Sequence, residues 1–402
     1  MDSIFYVARD ALIVVAILAT LALSHRVRRQ PTVVWIFAVS IFVIASCAVI
    51  AGIPAAVGFI GLRSYLSPLL LVAFLTLVDT SRVKDAMVRS IACVAIVNIP
   101  ITVIQVHSSP SNLINKQVGD GTAYFVNPGD IVRASGTFSS PLGHTQMLPL
   151  ALAAMLVGLH SRALPPWVSV PTLFGVALMT MLSGSRGAVV SCLIVIAAYL
   201  LAMILRGSFR SFTAVLTMVT LFGGIVFLAT MLFPAVISSF LLRVDQASRA
   251  EDVSGRVLGS TFNFLTMSFP ILGQGPGSAS TAAQNLGAGV AVENDLPRWV
   301  VELGLLGYLL ACARLIFGTC LILLILRGPR RSSLSKILYA SVLAPVLLTG
   351  VVTLTPSSQG MFAVTLAAFA LSARSGASDQ SPSLSAQSTA HEDDFSAHGK
   401  RL

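Results

Sequence analysis

Residues 293 to 307 read Glu-Asn-Asp-Leu-Pro-Arg-Trp-Val-Val-Glu-Leu-Gly-Leu-Leu-Gly, which sets three carboxylates, Glu293, Asp295 and Glu302, around one guanidinium, Arg298. A positioned carboxylate can take a proton from an acceptor hydroxyl, an effect worth ~10²–10⁴ in rate. A guanidinium offers a planar fork of donors that matches phosphate or carboxylate oxygens. The stretch lies where a polar loop gives way to a long apolar run, and charge at that boundary points to function when it does more than anchor a helix end. Arg298 and Trp299 alone read as an interfacial anchor of the aromatic-belt kind. The acids around them go beyond that habit, so Glu293 or Asp295 is the candidate base, with Glu302 read as structural and orienting an arginine.

Further arginines stand on the same side of the chain's apolar runs. Arg133, Arg186, Arg243, Arg249, Arg256 and Arg298 all map to the outer side, where Lys116 is the only lysine. An outer basic pocket at membrane level suits an anionic lipid headgroup. Arg243 and Arg249 lie among Asp245, Glu251 and Asp252, so a solvated helix with local ion pairs explains them as well. Arg63 and Arg314 fall inside apolar runs, where an unpaired charge costs several kcal/mol; Arg314 could snorkel and Arg63 could join the pocket. His144, with His107, is an outer histidine and reads as a polar contact or a site residue. No cluster of histidines and carboxylates has ligand spacing, so no metal or cofactor is expected. Leu272-Gly-Gln-Gly-Pro-Gly277 lacks the Lys-Ser/Thr of a nucleotide loop and reads as a glycine hinge.

The elements that must position these residues are membrane helices. Of the 402 residues 55% are hydrophobic and 10% charged, with a mean hydropathy of +0.86, outside the range of soluble domains. Apolar runs near or above the ~18 residues that cross the bilayer predict an all-α polytopic membrane protein of about eleven spans. They cover about 4–24, 33–53, 55–78, 90–106, 145–159, 168–182, 188–205, 212–233, 298–326, 337–354 and 360–371.

Arg26, Arg28 and Arg29 after the first span, and Arg or Lys in each later short loop, place the N-terminus outside and the C-terminus in the cytoplasm. The net charge of +10 is therefore mostly topological and does not call for nucleic acid. Two long loops, about 107–143 and 234–297, face outward. Residues 1–373 form one membrane domain, and 374–402, rich in Ser and Ala with three acids at 392–394, read as a disordered cytoplasmic tail. The five cysteines lie in apolar runs without CxxC spacing.

Five motifs in order carry a resemblance. They are Arg-x-x-Gly-Thr-Phe-Ser-Ser-Pro at 133–141, Leu-Ser-Gly-Ser-Arg-Gly-Ala at 182–188, Gly255-Arg256, Pro-Ile-Leu-Gly-Gln-Gly-Pro-Gly at 270–277 and Glu-Leu-Gly-Leu-Leu-Gly at 302–307. Together they resemble the O-antigen ligase and polymerase superfamily across about 133–326. The resemblance implies a glycosyltransferase of the bacterial inner membrane that works on the outer face, without metal or nucleotide sugar, on undecaprenyl-pyrophosphate-linked oligosaccharide. It implies that Arg186 and Arg256 bind the donor pyrophosphate and gives Arg133 a motif position. Ligases of the family place a histidine before asparagine ahead of the last outer helix; this chain has Glu293-Asn294, which fits a polymerase of repeat units better. Glycosyltransferases that build peptidoglycan carry a similar acid ahead of a Glu-x-Gly-Leu-x-Gly run, which adds weight to Glu293 or Asp295. A flippase and a chain-length regulator are the partners such a polymerase would have. The alternatives are a ligase to a lipid A-core acceptor and a transporter of the same lipid-linked glycan.

Overall fold

The computed structural model describes residues 31–77, 80–115, 126–127, 131–206, 261–268, 271–280, 294–328, 332–352 and 355–378, with isolated positions between 220 and 292. The expected first span, much of the eighth, most of the 234–297 loop, and the candidate residues Glu293, Arg243, Arg249 and Arg256 lie outside the described residues.

The described chain is helical apart from one short ladder. In order, α1 is Pro31–Ile50, α2 Ala55–Leu77, α3 Thr80–His107, α4 Pro141–Ser161, α5 Pro166–Leu182, α6 Arg186–Leu205, α7 Asp295–Leu303, α8 Leu305–Arg327, α9 Leu334–Thr349 and α10 Pro356–Ser378. The ladder pairs β1 (Val126–Asn127) antiparallel with β2 (Ile131–Val132) inside the first long loop. Among the described residues four helices are long and apolar enough to cross a membrane: Val83–His107 within α3, then α4, α6 and α8. The chain is thus a helical, membrane-embedded protein, as its composition requires, since helices satisfy every backbone hydrogen bond internally.

The bundle is built around α4. Of its apolar window 78% is buried, against 22% for α8, so α4 is a central helix and α8 a peripheral one. It packs on α3, α5, α6, α9 and α10, and Leu148, Leu150, Ala151, Ala153, Ala154 and Met155 have no exposed surface. Its start is fixed locally. Ser140 is the N-cap, its Oγ accepting from the Leu142 N–H at 3.2 Å, and Pro141 follows where no amide donor is needed. Small and straight-chain residues on every side let neighbours close in at native density.

Two expectations change. The ninth span does not run unbroken from Arg298; it divides at Gly304, whose φ of 60° and ψ of −130° suit glycine and fit no helix. The short α7 then folds back on α8, with Gly307 lying against the Trp299 carbonyl where a Cβ would collide. The tail expected from 374 is helical to Ser378, because Ala and Ser after Arg374 continue α10 beyond its apolar part.

Candidate functional site

The chemistry-bearing stretch forms a closed polar cluster where α7 meets α8. Glu302 is fully buried. Its Oε1 accepts from Arg298 Nε at 2.7 Å and from the Ala279 N–H at 3.2 Å, and its Oε2 accepts from the Tyr65 hydroxyl and the Gly277 N–H, both at 2.8 Å. One carboxylate therefore fastens α2, α7 and the glycine loop. Buried charge persists when its partners are complete in this way.

The loop at 272–277 is a clamp and not a hinge. Gln274 and Gly275 donate N–H bonds to the Val301 and Glu302 carbonyls at 2.9 Å. Gly61 of α2 lies directly against the Pro276–Gly277 backbone, so neither side has room for a Cβ. The backbone amides do bind an anion, the chain's own Glu302.

Asp295, at the start of α7, is 3% exposed. Its Oδ2 accepts from Arg314 Nη1 at 3.1 Å and from the Val352 N–H. Arg314 does not snorkel. Its Nε donates to the Leu347 carbonyl at 2.8 Å and its Nη2 to Val346 and Gly350 at 2.9 and 2.6 Å, capping the last carbonyls of α9. The guanidinium carbon also lies 5.1 Å from the Trp299 ring centroid, and that ring meets Tyr65 at 6.1 Å. Arg298, 2% exposed and held by Glu302, is an interior group and not a headgroup anchor, and Trp299, half-buried, turns its ring toward Arg314. Asp295 and Arg298 would have to leave these partners to meet a substrate.

A second arrangement holds the Arg133 motif. Asn98 and Gln105 on α3, both buried, bind the turn at 135–137: Asn98 Oδ1 accepts from the Thr137 N–H at 2.7 Å, and Gln105 Oε1 from the Ser135 and Gly136 N–H groups at 3.1 and 2.8 Å. Arg133, half-buried, enters this turn. The sequence reading passed over both amides. Their signal was legible: Asn98, Thr102 and Gln105, four and three residues apart, put one polar stripe on an otherwise apolar helix.

His144, in the first turn of α4, is fully buried, and neither ring nitrogen has a hydrogen-bond partner among the described residues. Phe138 lies beside it at 6.2 Å between ring centroids. Two residues on, Gln146 Nε2 donates to the Val351 carbonyl at 3.0 Å. The same peptide unit donates the Val352 N–H to Asp295. One peptide plane thus joins the central helix to the acidic cluster.

Arg186 is the exposed member of the set. It opens α6, whose N-cap Ser185 accepts from the Ala188 N–H at 3.4 Å. It stands at one end of a cavity of about 860 Å³ between α6, α8 and α9, lined by apolar residues such as Val190, Ile194, Leu201, Ile325 and Leu348. Along α6 from Arg186 to Leu201 the cavity extends about 22 Å at ~1.5 Å per residue. Thr349, at the end of α9, lines it as well, next to the Gly350 carbonyl that Arg314 holds. The Arg186 end and the α7–α8 cluster are therefore at the same end of the bundle.

Compared with known proteins, the chain matches no family model, no curated protein and no solved structure.

Proposed function

We propose that this protein is a membrane glycosyltransferase, a polymerase that joins polysaccharide repeat units carried on undecaprenyl pyrophosphate at the outer face of the bacterial inner membrane. The observation that carries this reading is the apolar cavity with Arg186 at its end. A long isoprenoid chain needs an apolar groove open to the bilayer, and its pyrophosphate needs a fixed cation at the end of that groove. Arg186 supplies a bidentate fork there. The five ordered motifs add support, since Arg133, Arg186 and the 302–307 run all fall at one end of the fold.

In the proposed reaction the acceptor sugar's hydroxyl oxygen attacks the anomeric carbon of the donor glycan. A C–O bond forms as the bond to the carrier's pyrophosphate breaks, and the carrier leaves as undecaprenyl pyrophosphate. The hydroxyl proton passes to the Glu293 carboxylate, because Asp295 is committed to Arg314 and Val352. Arg186 and Arg256 meet the charge that grows on the leaving pyrophosphate, where preorganised donors act most strongly. Glu302, Arg298 and Arg314 hold α7 in place, and Glu293 precedes that helix by two residues in the sequence. The full topology would be about eleven spans with the N-terminus outside and the C-terminus in the cytoplasm.

The transporter alternative calls for polar groups along the bundle interior. Asn98 and Gln105 are such groups, and both are bound to the 135–137 turn.

The test is the lipid-linked glycan profile of a strain lacking the protein. Single repeat units accumulating on the outer-face carrier are the expected result. Long polymer stranded on the carrier would mean a ligase, and repeat units held on the cytoplasmic face a transporter.

A further inference from the structure

A described part of the second long loop packs against α7 and α8. Residues 261–268 and 271–272, ahead of the glycine clamp, expose Phe262, Leu265, Ile271 and Leu272, with Ile271 79% exposed. Between them Phe264 is fully buried in a small cluster with Leu296 and Val300 of α7 and Ala311 of α8, and its ring meets Tyr308 at 5.6 Å. The Leu305 N–H donates to the Ile271 carbonyl at 3.3 Å. The segment therefore lies along the N-terminal turns of α8.

The depth of those turns follows from helix geometry. Arg327 is the last residue of α8, and a basic residue flanking a span's end places that end at the opposite interface in the topology proposed above. At ~1.5 Å per residue, Ala311 and Tyr308 stand about 24 and 28 Å from it, and Leu305 about 33 Å. The hydrocarbon slab is ~30 Å thick, and tilt of the helix only draws these residues deeper. Phe264 thus sits just inside the far edge of the slab and Ile271 at its boundary. Leu309 and Leu310 of α8, both exposed, continue the same apolar surface into the span. The polar groups that come along are partly matched to each other, Thr266 Oγ1 donating to the Asn263 carbonyl at 2.9 Å in a 3₁₀ turn.

We infer that 261–268 and 271–272 form an interfacial anchor whose exposed apolar residues, Phe262, Leu265, Ile271 and Leu272, insert among the acyl chains of the leaflet at the N-terminal end of α8. In the topology proposed above this is the outer leaflet. Elements of this kind lie ~5–10 Å into the headgroup–acyl boundary, the level reached here. Because Phe264 packs against Leu296 and Val300, the anchor also sets the depth at which α7 is held.

The test places a benzophenone side chain at Leu265, Ile271 or Leu309 in turn, in the full chain reconstituted into vesicles of phosphatidylethanolamine and phosphatidylglycerol. After irradiation the labelled peptides are weighed. Lipid adducts at 265 and 271, at yields comparable with 309, are expected. Adducts at 309 alone, or cross-links from 265 and 271 to a second copy of the chain, would overturn the inference. So would the absence of lipid at 309, since the depth argument needs α8 in the bilayer. None of these outcomes depends on glycosyl transfer.

Discussion

Glu302 and His144 are both wholly buried at the same end of the bundle, yet one accepts four hydrogen bonds and the other has no partner on either ring nitrogen among the described residues. The carboxylate draws Tyr65, Gly277, Ala279 and Arg298 together from three parts of the chain, as a group does when its work is to hold a fold. The imidazole finds no such partner among the described residues, and a buried polar atom left without one costs about 1–3 kcal/mol. Arg186 stands apart from both, exposed at the cavity end. The paired charges of the α7–α8 cluster serve architecture, whereas Arg186 is open to the cavity end.

Substitutions in the α7–α8 cluster test the first half of that contrast with the largest effect. Glu302→Leu leaves the Arg298 guanidinium and the Tyr65 hydroxyl without their acceptor, which costs about 3–5 kcal/mol for a broken buried pair. The expected result is loss of the protein from membranes, seen on immunoblots and in thermal unfolding after purification. Arg314→Leu strands Asp295 and three α9 carbonyls, with a loss in the same range. Normal accumulation of either variant would mean that the cluster does not hold the fold.

Gly61→Ala comes next. Its new methyl meets the Pro276–Gly277 backbone, which has no flexible side chain to move aside, so a loss of about 1–3 kcal/mol is expected in thermal unfolding. Tyr65→Phe removes one donor to a carboxylate that keeps three others, with a similar loss of about 1.5–3 kcal/mol.

His144→Phe sharpens the other side of the comparison and should have the smallest effect on stability. The ring shape is kept and two orphaned atoms are removed, so the thermal midpoint should stay level or rise. A clear fall would show that the nitrogens have a partner in the native protein.

The apolar helices were legible in the sequence because membrane solvation writes a run of apolar residues into each one. Runs at about 145–159 and 168–182 fall within α4 and α5. The break at Gly304 was hidden inside a run that stays apolar through it; only Gly304 and Gly307, five and eight residues past Trp299, marked the fold-back. The Arg298–Glu302 pair could be read from its spacing of one helical turn. Its other partners could not: Tyr65 is 237 residues away, and nothing local in α2 sets it apart from an ordinary interfacial tyrosine. The glycine loop looked like a hinge for the same reason, since what makes it rigid is contact with Gly61 and Glu302.

The most direct measurement of the central claim is polymer length in the deletion strain complemented with Arg186→Ala, read beside the amount of protein in the membrane. Arg186 is exposed and lies outside the buried cluster, so the variant should accumulate normally and leave single repeat units on the carrier. Polymer of wild-type length at a normal protein level would contradict the assignment of the cavity end as the pyrophosphate site.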